Sequence, residues 1–168
     1  SLGFRGVLMK MKAEIKGADE ALEMFDKMIM EQDNILTETM KAGGGKAADY
    51  MRSEINALKT TDDKKKPQMR YAYPHEKQAL QQSMGYTPVR RDGEIYDIKV
   101  GFDGYSDRKT KSHPTGVPNQ LIANSINAGT SFMQRQPFIN RTKNKGKTSI
   151  EEAMKEEFDK QVKTIGGI

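Results

Sequence analysis

The chain has 168 residues, 35% of them hydrophobic, no Cys, and a formal net charge of +5 from 28 basic and 23 acidic side chains. That length sets one domain, 1–168, as the default, and the lack of Cys rules out disulfides, zinc–thiolate centres and thiol nucleophiles. No run comes near the roughly 18 apolar residues of a membrane span, and no secretory leader pattern opens the chain.

Residues 1–6 follow a non-Met start and are given little weight. Over 7–16, Val7, Met9, Met11, Ala13 and Ile15 alternate with Lys10, Lys12, Glu14 and Lys16, the period of a half-buried strand. Gly17 ends it, and Asp19 is the best N-cap candidate for a long helix. Over 18–59, Leu22, Phe25, Ile29, Leu36, Met40, Ala47, Met51, Ile55 and Leu58 recur at steps of three, four or seven, which is one stripe on that helix. The phase survives Gly43-Gly44-Gly45, where a kink is expected because each interior Gly costs about 1 kcal/mol relative to Ala. An unbroken helix of that length would reach about 60 Å at 1.5 Å per residue. It must therefore fold back or project and require a partner surface.

A charged loop with Lys64, Lys65, Lys66 and the helix-stopping Pro67 comes next, succeeded by a short helix over 75–84. Residues 86–102 read as a hairpin around Arg91-Asp92-Gly93, with Tyr96, Ile98, Val100 and Phe102 on one face. Pro88 places the first strand at an edge or bulge. Residues 103–118 form a polar loop beyond the usual length for structureless connections. A helix over 119–127 and an extended stretch over 129–141 lead to a final helix over 149–165. There Ser149 with Glu152 makes a capping box, and Ile150, Met154, Phe158, Val162 and Ile165 form the stripe. The sum is an α+β domain: a small antiparallel sheet (N-terminal strand plus hairpin 86–102) against a long helix and a C-terminal helix.

No catalytic, cofactor or metal site emerges from the residue pattern. His75 and His113 sit in separate polar segments without ligand spacing. The run from Ala42 through Gly43, Gly44 and Gly45 to Lys46 has the look of a phosphate loop, but Ala47 replaces the required hydroxyl and no strand precedes it. Asp103 and Asp107 lack the calcium-loop spacing and its closing Glu. The carboxylates cannot be paired in space from sequence, so a hydrolase stays a weaker reading. Positive charge favours phosphate backbones, and a basic nucleic-acid-binding accessory protein using Lys64 to Lys66, Arg90, Arg91 and the 108–111 cluster is the alternative function.

Several segments in order resemble one family. These are the strand ending Ile15-Lys16-Gly17, the long helix with a Gly/Ala-rich middle, and Gln78-Ala79-Leu80-Gln81-Gln82-Ser83-Met84. A hairpin closing on Val100-Gly101 comes after them, then Asn127-Ala128-Gly129-Thr130-Ser131 and Arg135-Gln136-Pro137-Phe138-Ile139. The order is similar to that of the small tail-component proteins of long-tailed bacteriophages and prophages, assigned to the head–tail junction. Asn127 stands where an acid is common there, and Asn140-Arg141 replaces the usual Arg-Pro. The resemblance implies a non-enzymatic virion protein acting at the neck or in tail completion, built as a homo-oligomeric ring. Its implied partners are copies of itself and neighbouring head-closure or tail proteins, with non-specific DNA contact in a channel and no membrane. It implies no cofactor, and a location in the virion and, during assembly, the host cytoplasm. Candidate partner-contact residues are Gly129, Thr130, Arg135, Pro137 and Phe138, with Arg108, Lys109 and Lys111 in the long loop. Phe138 serves equally well as plain core packing. Low hydrophobicity and eleven Met suit a subunit that completes itself against neighbours.

Overall fold

The centre of the molecule is a seam between two antiparallel helices, α2 (Gln32–Asn56) and α5 (Phe138–Gly166). On α5 the residues facing the seam recur every four positions: Phe138, Thr142, Gly146, Ile150 and Met154. On α2 they are Leu36, Met40, Gly43, Ala47, Met51, Glu54 and Ile55. Ridges at a spacing of four on one helix fill the grooves of the other. The structure is a computed structural model and describes residues 2–3 and 18–167; the strand expected over 7–16 lies outside them.

The helical stripe is real, but the break falls elsewhere than expected. α1 (Ala18–Met30) is separated from α2 at Glu31, while the three glycines run through the middle of α2 without interruption. The bend is mild: the Glu31 N–H still donates to the Lys27 carbonyl at 2.9 Å and the Ile35 N–H to the Glu31 carbonyl at 2.9 Å. The glycines exist for approach. A Cβ on Gly44 would lie 2.6 Å from Ile98 Cδ1, and one on Gly43 would lie 2.7 Å from Met154 Cγ. Gly146 performs the same service from α5, against the Tyr50 ring. Close packing along the seam offsets the helical cost of these glycines. Asp19 lies inside the first turn of α1, where its charge suits the positive end of the helix dipole.

The final helix is also longer than expected, because it starts at Phe138 and runs 29 residues. Ser149 sits in its interior, hydrogen-bonded to the Tyr50 hydroxyl at 2.9 Å. Residues 143–148 look like a linker by composition. They are helical because Thr142, Gly146 and Ile150 fit the α2 groove, and because Arg141 and Lys145 reach Glu54 at 2.6 and 2.7 Å. The segment over 129–141 is accordingly extended only up to Pro137.

α3 (Pro74–Ser83) leads into β2 (Met84–Tyr86), β3 (Arg90–Asp92), β4 (Ile95–Asp97) and β5 (Lys99–Phe102). β1 (Leu2–Gly3) and β2 flank β5, both antiparallel, and β3 pairs with β4 in a separate ladder. Between the pairs Tyr86–Val100 and Arg90–Asp97, three residues on one strand face two on the other. Pro88 lies in that bulge, as its missing N–H requires. Tyr96, Ile98, Val100 and Phe102 all point into the core. The domain is thus α+β, with a small sheet against the helices; α4 (Asn119–Ala128) closes the core with Ile122, Ala123 and Ile126.

Candidate functional site

Two connecting segments, 57–73 and 129–137, meet at the C-terminal end of α2. The Gln136 side chain donates to the Lys59 carbonyl at 3.0 Å and accepts from the Lys59 N–H at 2.8 Å, while its backbone N–H donates to the Ile126 carbonyl at 2.8 Å. The Arg70 N–H donates to the Phe132 carbonyl at 3.0 Å, and the Gln134 N–H returns the bond to the Arg70 carbonyl at 2.7 Å. The Arg70 side chain is buried. Its guanidinium forks onto Glu76 at 2.7 and 3.1 Å, lies 3.8 Å from the centre of the Tyr73 ring and donates to the Tyr71 carbonyl. Burial pushes the Glu76 carboxyl up, but the Arg70 and Tyr73 N–H hydrogen bonds and the Arg70 charge outweigh it, leaving it below its ordinary value. The desolvation cost of a pair this enclosed offsets much of its Coulombic gain.

The segment from Asn127 to Ile139, which carries most of the resemblance, turns on Gly129, whose φ is +78°; a Cβ there would lie 3.0 Å from Arg135 Cβ. The Thr130 hydroxyl accepts from the N–H groups of Met133 and Phe132 at 3.0 and 3.3 Å, which fixes the turn. The Asn127 amide oxygen accepts the N–H of Ile139 and of Asn140 at 3.0 and 3.3 Å. It caps α5 from outside the helix, satisfying two orphan donors. An amide oxygen does this as well as a carboxylate, so the departure from an acid at this position costs no hydrogen bond.

The eight candidate contact residues divide. Gly129, Thr130 and Arg135, with Met69 and Met133, line a shallow depression of about 610 Å³, and Arg135 points outward, exposed. Pro137 is the N-cap of α5. Phe138 is fully buried, with its ring edge-on to Phe102 at 6.1 Å; it is a core residue and leaves the contact set. Arg108, Lys109 and Lys111 are exposed together on the long loop, Arg108 reaching to 4.0 Å from Glu76.

That loop is built. The Ser106 N–H donates to the Val117 carbonyl and the Val117 N–H to the Arg108 carbonyl, both at 2.8 Å. Gly116, at φ +126°, sits where a Cβ would meet the Ser106 carbonyl at 2.2 Å. Among the described residues no three His, Asp or Glu side chains converge as metal ligands. His75 stacks on Tyr73 and faces Asp63 at 3.5 Å, and His113 pairs with Thr110.

Sequence reasoning places Leu22 and Ile29 in the buried stripe. They are exposed at 60% and 69%, and Met30 at 83%. Pairing Gly43 with Met154 brings the last turn of α5 level with Glu31, given the equal rise of two antiparallel helices. α1 continues past that point, so the apolar stripe outlasts its partner. The signal was available in the length of the stripe against that of the closing helix.

No family model, no curated protein and no solved structure matches the chain.

Proposed function

We propose that the protein is a non-enzymatic structural subunit of a phage or prophage particle, acting at the head–tail junction in the neck or in tail completion, and assembling with copies of itself into a ring. The observation that carries the assembly reading is the α1 arm, which touches α5 yet presents Leu22, Ile29 and Met30 to solvent. Large apolar side chains grouped on one exposed element mark an interaction surface. The order of the sequence motifs supplies the phage context.

A nucleic-acid-binding role is the second reading, favoured by the joint exposure of Arg108, Lys109 and Lys111. Non-specific contact with DNA in a channel would use the same side chains.

Light scattering after size exclusion, across protein and salt concentration, tests the first reading. A discrete species of fixed multiple mass is expected. A monomer at every soluble concentration, combined with DNA binding that falls steeply with salt, would replace it with the second.

A further inference from the structure

We infer that assembly is head to tail, with the α1 arm of one copy lying in the 128–135 depression of the next copy. The inference rests on the self-assembly reading and specifies its interface.

The arm is acidic as well as apolar. α1 carries Asp19, Glu20, Glu23 and Asp26 against a single base, Lys27. At 100° per residue, Leu22, Asp26, Ile29 and Met30 share one sector of about 100°. Asp26 thus stands among the exposed apolar side chains, and among the described residues it has no cationic partner. Glu23 is turned aside to Lys27 at 3.0 Å.

The depression has the complementary character. Met69, 49% exposed, lines it with Thr130, Gln134 and Arg135, and Phe132, 43% exposed, adjoins it in the chain. Arg135 is an exposed cation on its wall, and Lys64, Lys65 and Lys66 stand exposed on the segment that carries Met69. An amphipathic helix seated in a groove is an established recognition mode, in which apolar side chains supply affinity and charge sets register.

The two surfaces lie at opposite ends of α2. The arm adjoins its N-terminus, and the depression is tied to Lys59 and Arg70 just beyond its C-terminus. The 25 residues of α2 put about 37 Å between those ends, so the depression of one copy cannot seat that copy's own arm. A surface that meets a different surface on an identical chain makes a heterologous contact, which closes as a ring when the rotation permits.

Charge reversal tests this, since Asp26 and Arg135 are both exposed and neither reversal should disturb folding. The expected result is that Asp26→Arg alone and Arg135→Glu alone each weaken self-association of the full chain at least tenfold in light scattering. The double variant should recover it, and an equimolar mixture of the two single variants should assemble in alternation. If the unaltered chain assembles but neither single reversal changes the mass distribution, or the double and the mixture fail to recover, the interface is wrong while the ring reading stands. If the unaltered chain is monomeric throughout, both are overturned.

Discussion

The first half of the long stripe and the second half obey one sequence rule and meet opposite fates. In α2, Met40, Ala47, Met51 and Ile55 are at most 1% exposed. In α1, at the same helical spacing, Leu22 and Ile29 are more than half exposed. Nothing in the periodicity separates them. The difference lies in what runs alongside: α5 offers Met154, Ile150, Gly146 and Thr142 to α2, and its last turn ends near the bend at Glu31. An amphipathic pattern states that a face is meant to be covered; it does not state by which chain.

Truncating each half should measure this directly. Ile55→Ala removes a fully buried side chain from the seam and should destabilise the protein by about 2–5 kcal/mol in chemical denaturation, because the surroundings cannot collapse onto the cavity. Ile29→Ala, the same chemical change on the arm, should cost under about 0.5 kcal/mol under conditions where the protein is monomeric. Equal losses would mean that the arm is part of the intramolecular core.

The glycines refine the comparison within α2 itself. Gly44→Ala gains about 1 kcal/mol of helix propensity but drives a methyl to 2.6 Å from Ile98 Cδ1 in a filled core, an overpacking cost of about 1–3 kcal/mol. A net loss of up to about 2 kcal/mol is expected. Gly45→Ala meets nothing within 4 Å and should stabilise the protein by about 0.5–1 kcal/mol. Thermal melts of the two single variants should move in opposite directions, and a stabilised Gly44→Ala would show that the seam has room for a methyl group.

What was legible in the sequence divides along the same line. The buried face of the hairpin, an edge or bulge at Pro88, a helix over 119–127 and the α2 core all announce themselves by local period and local turn chemistry. The bend at Glu31 does not, since no breaker residue stands there. The first eleven residues of α5 were unreadable for a related reason: the polar run over 143–148 interrupts the apolar stripe, and the places of Arg141, Lys145 and Gly146 make sense only once Glu54 and Tyr50 are set opposite them. The site was legible only in part. Gly129, Thr130 and Arg135 do come together, while the pairing of Arg70 with Glu76 joins residues whose relation depends on a buried turn. Phe138 could be read either as contact or as core, and only its position behind Phe102 decides.

Acid should loosen the seam. Burial pushes the Glu54 carboxyl up, but hydrogen bonds and charge from Lys145 and Arg141 outweigh it, and its pKa lies below the ordinary 4.5. The unfolded chain therefore holds more protons than the folded one as pH falls through that window. The stability that the ionised Glu54 contributes is fully present above the ordinary value and is lost as pH drops through the lower folded one. Glu76, also held below its ordinary value, adds in the same direction. Glu54→Gln should melt lower than the parent near neutral pH yet lose less on acidification from about pH 5 to 3. Parallel pH slopes would place the acid sensitivity elsewhere.

The smallest effect on stability is expected where the effect on assembly is among the largest. Leu22→Ser with Ile29→Ser replaces two side chains that already stand in water, so the monomer loses almost no burial and its melting temperature should stay within the range of ordinary surface changes. Its solubility should rise, because an exposed apolar row is an association liability wherever its cover is missing. In the assembled state the same two residues would be among the anchors, and truncated anchors near the centre of an interface cost far more than their neighbours. Unchanged melting with lost assembly would therefore identify the arm as a face kept for another chain. A lowered melting temperature in the monomer would show that it had been part of this one.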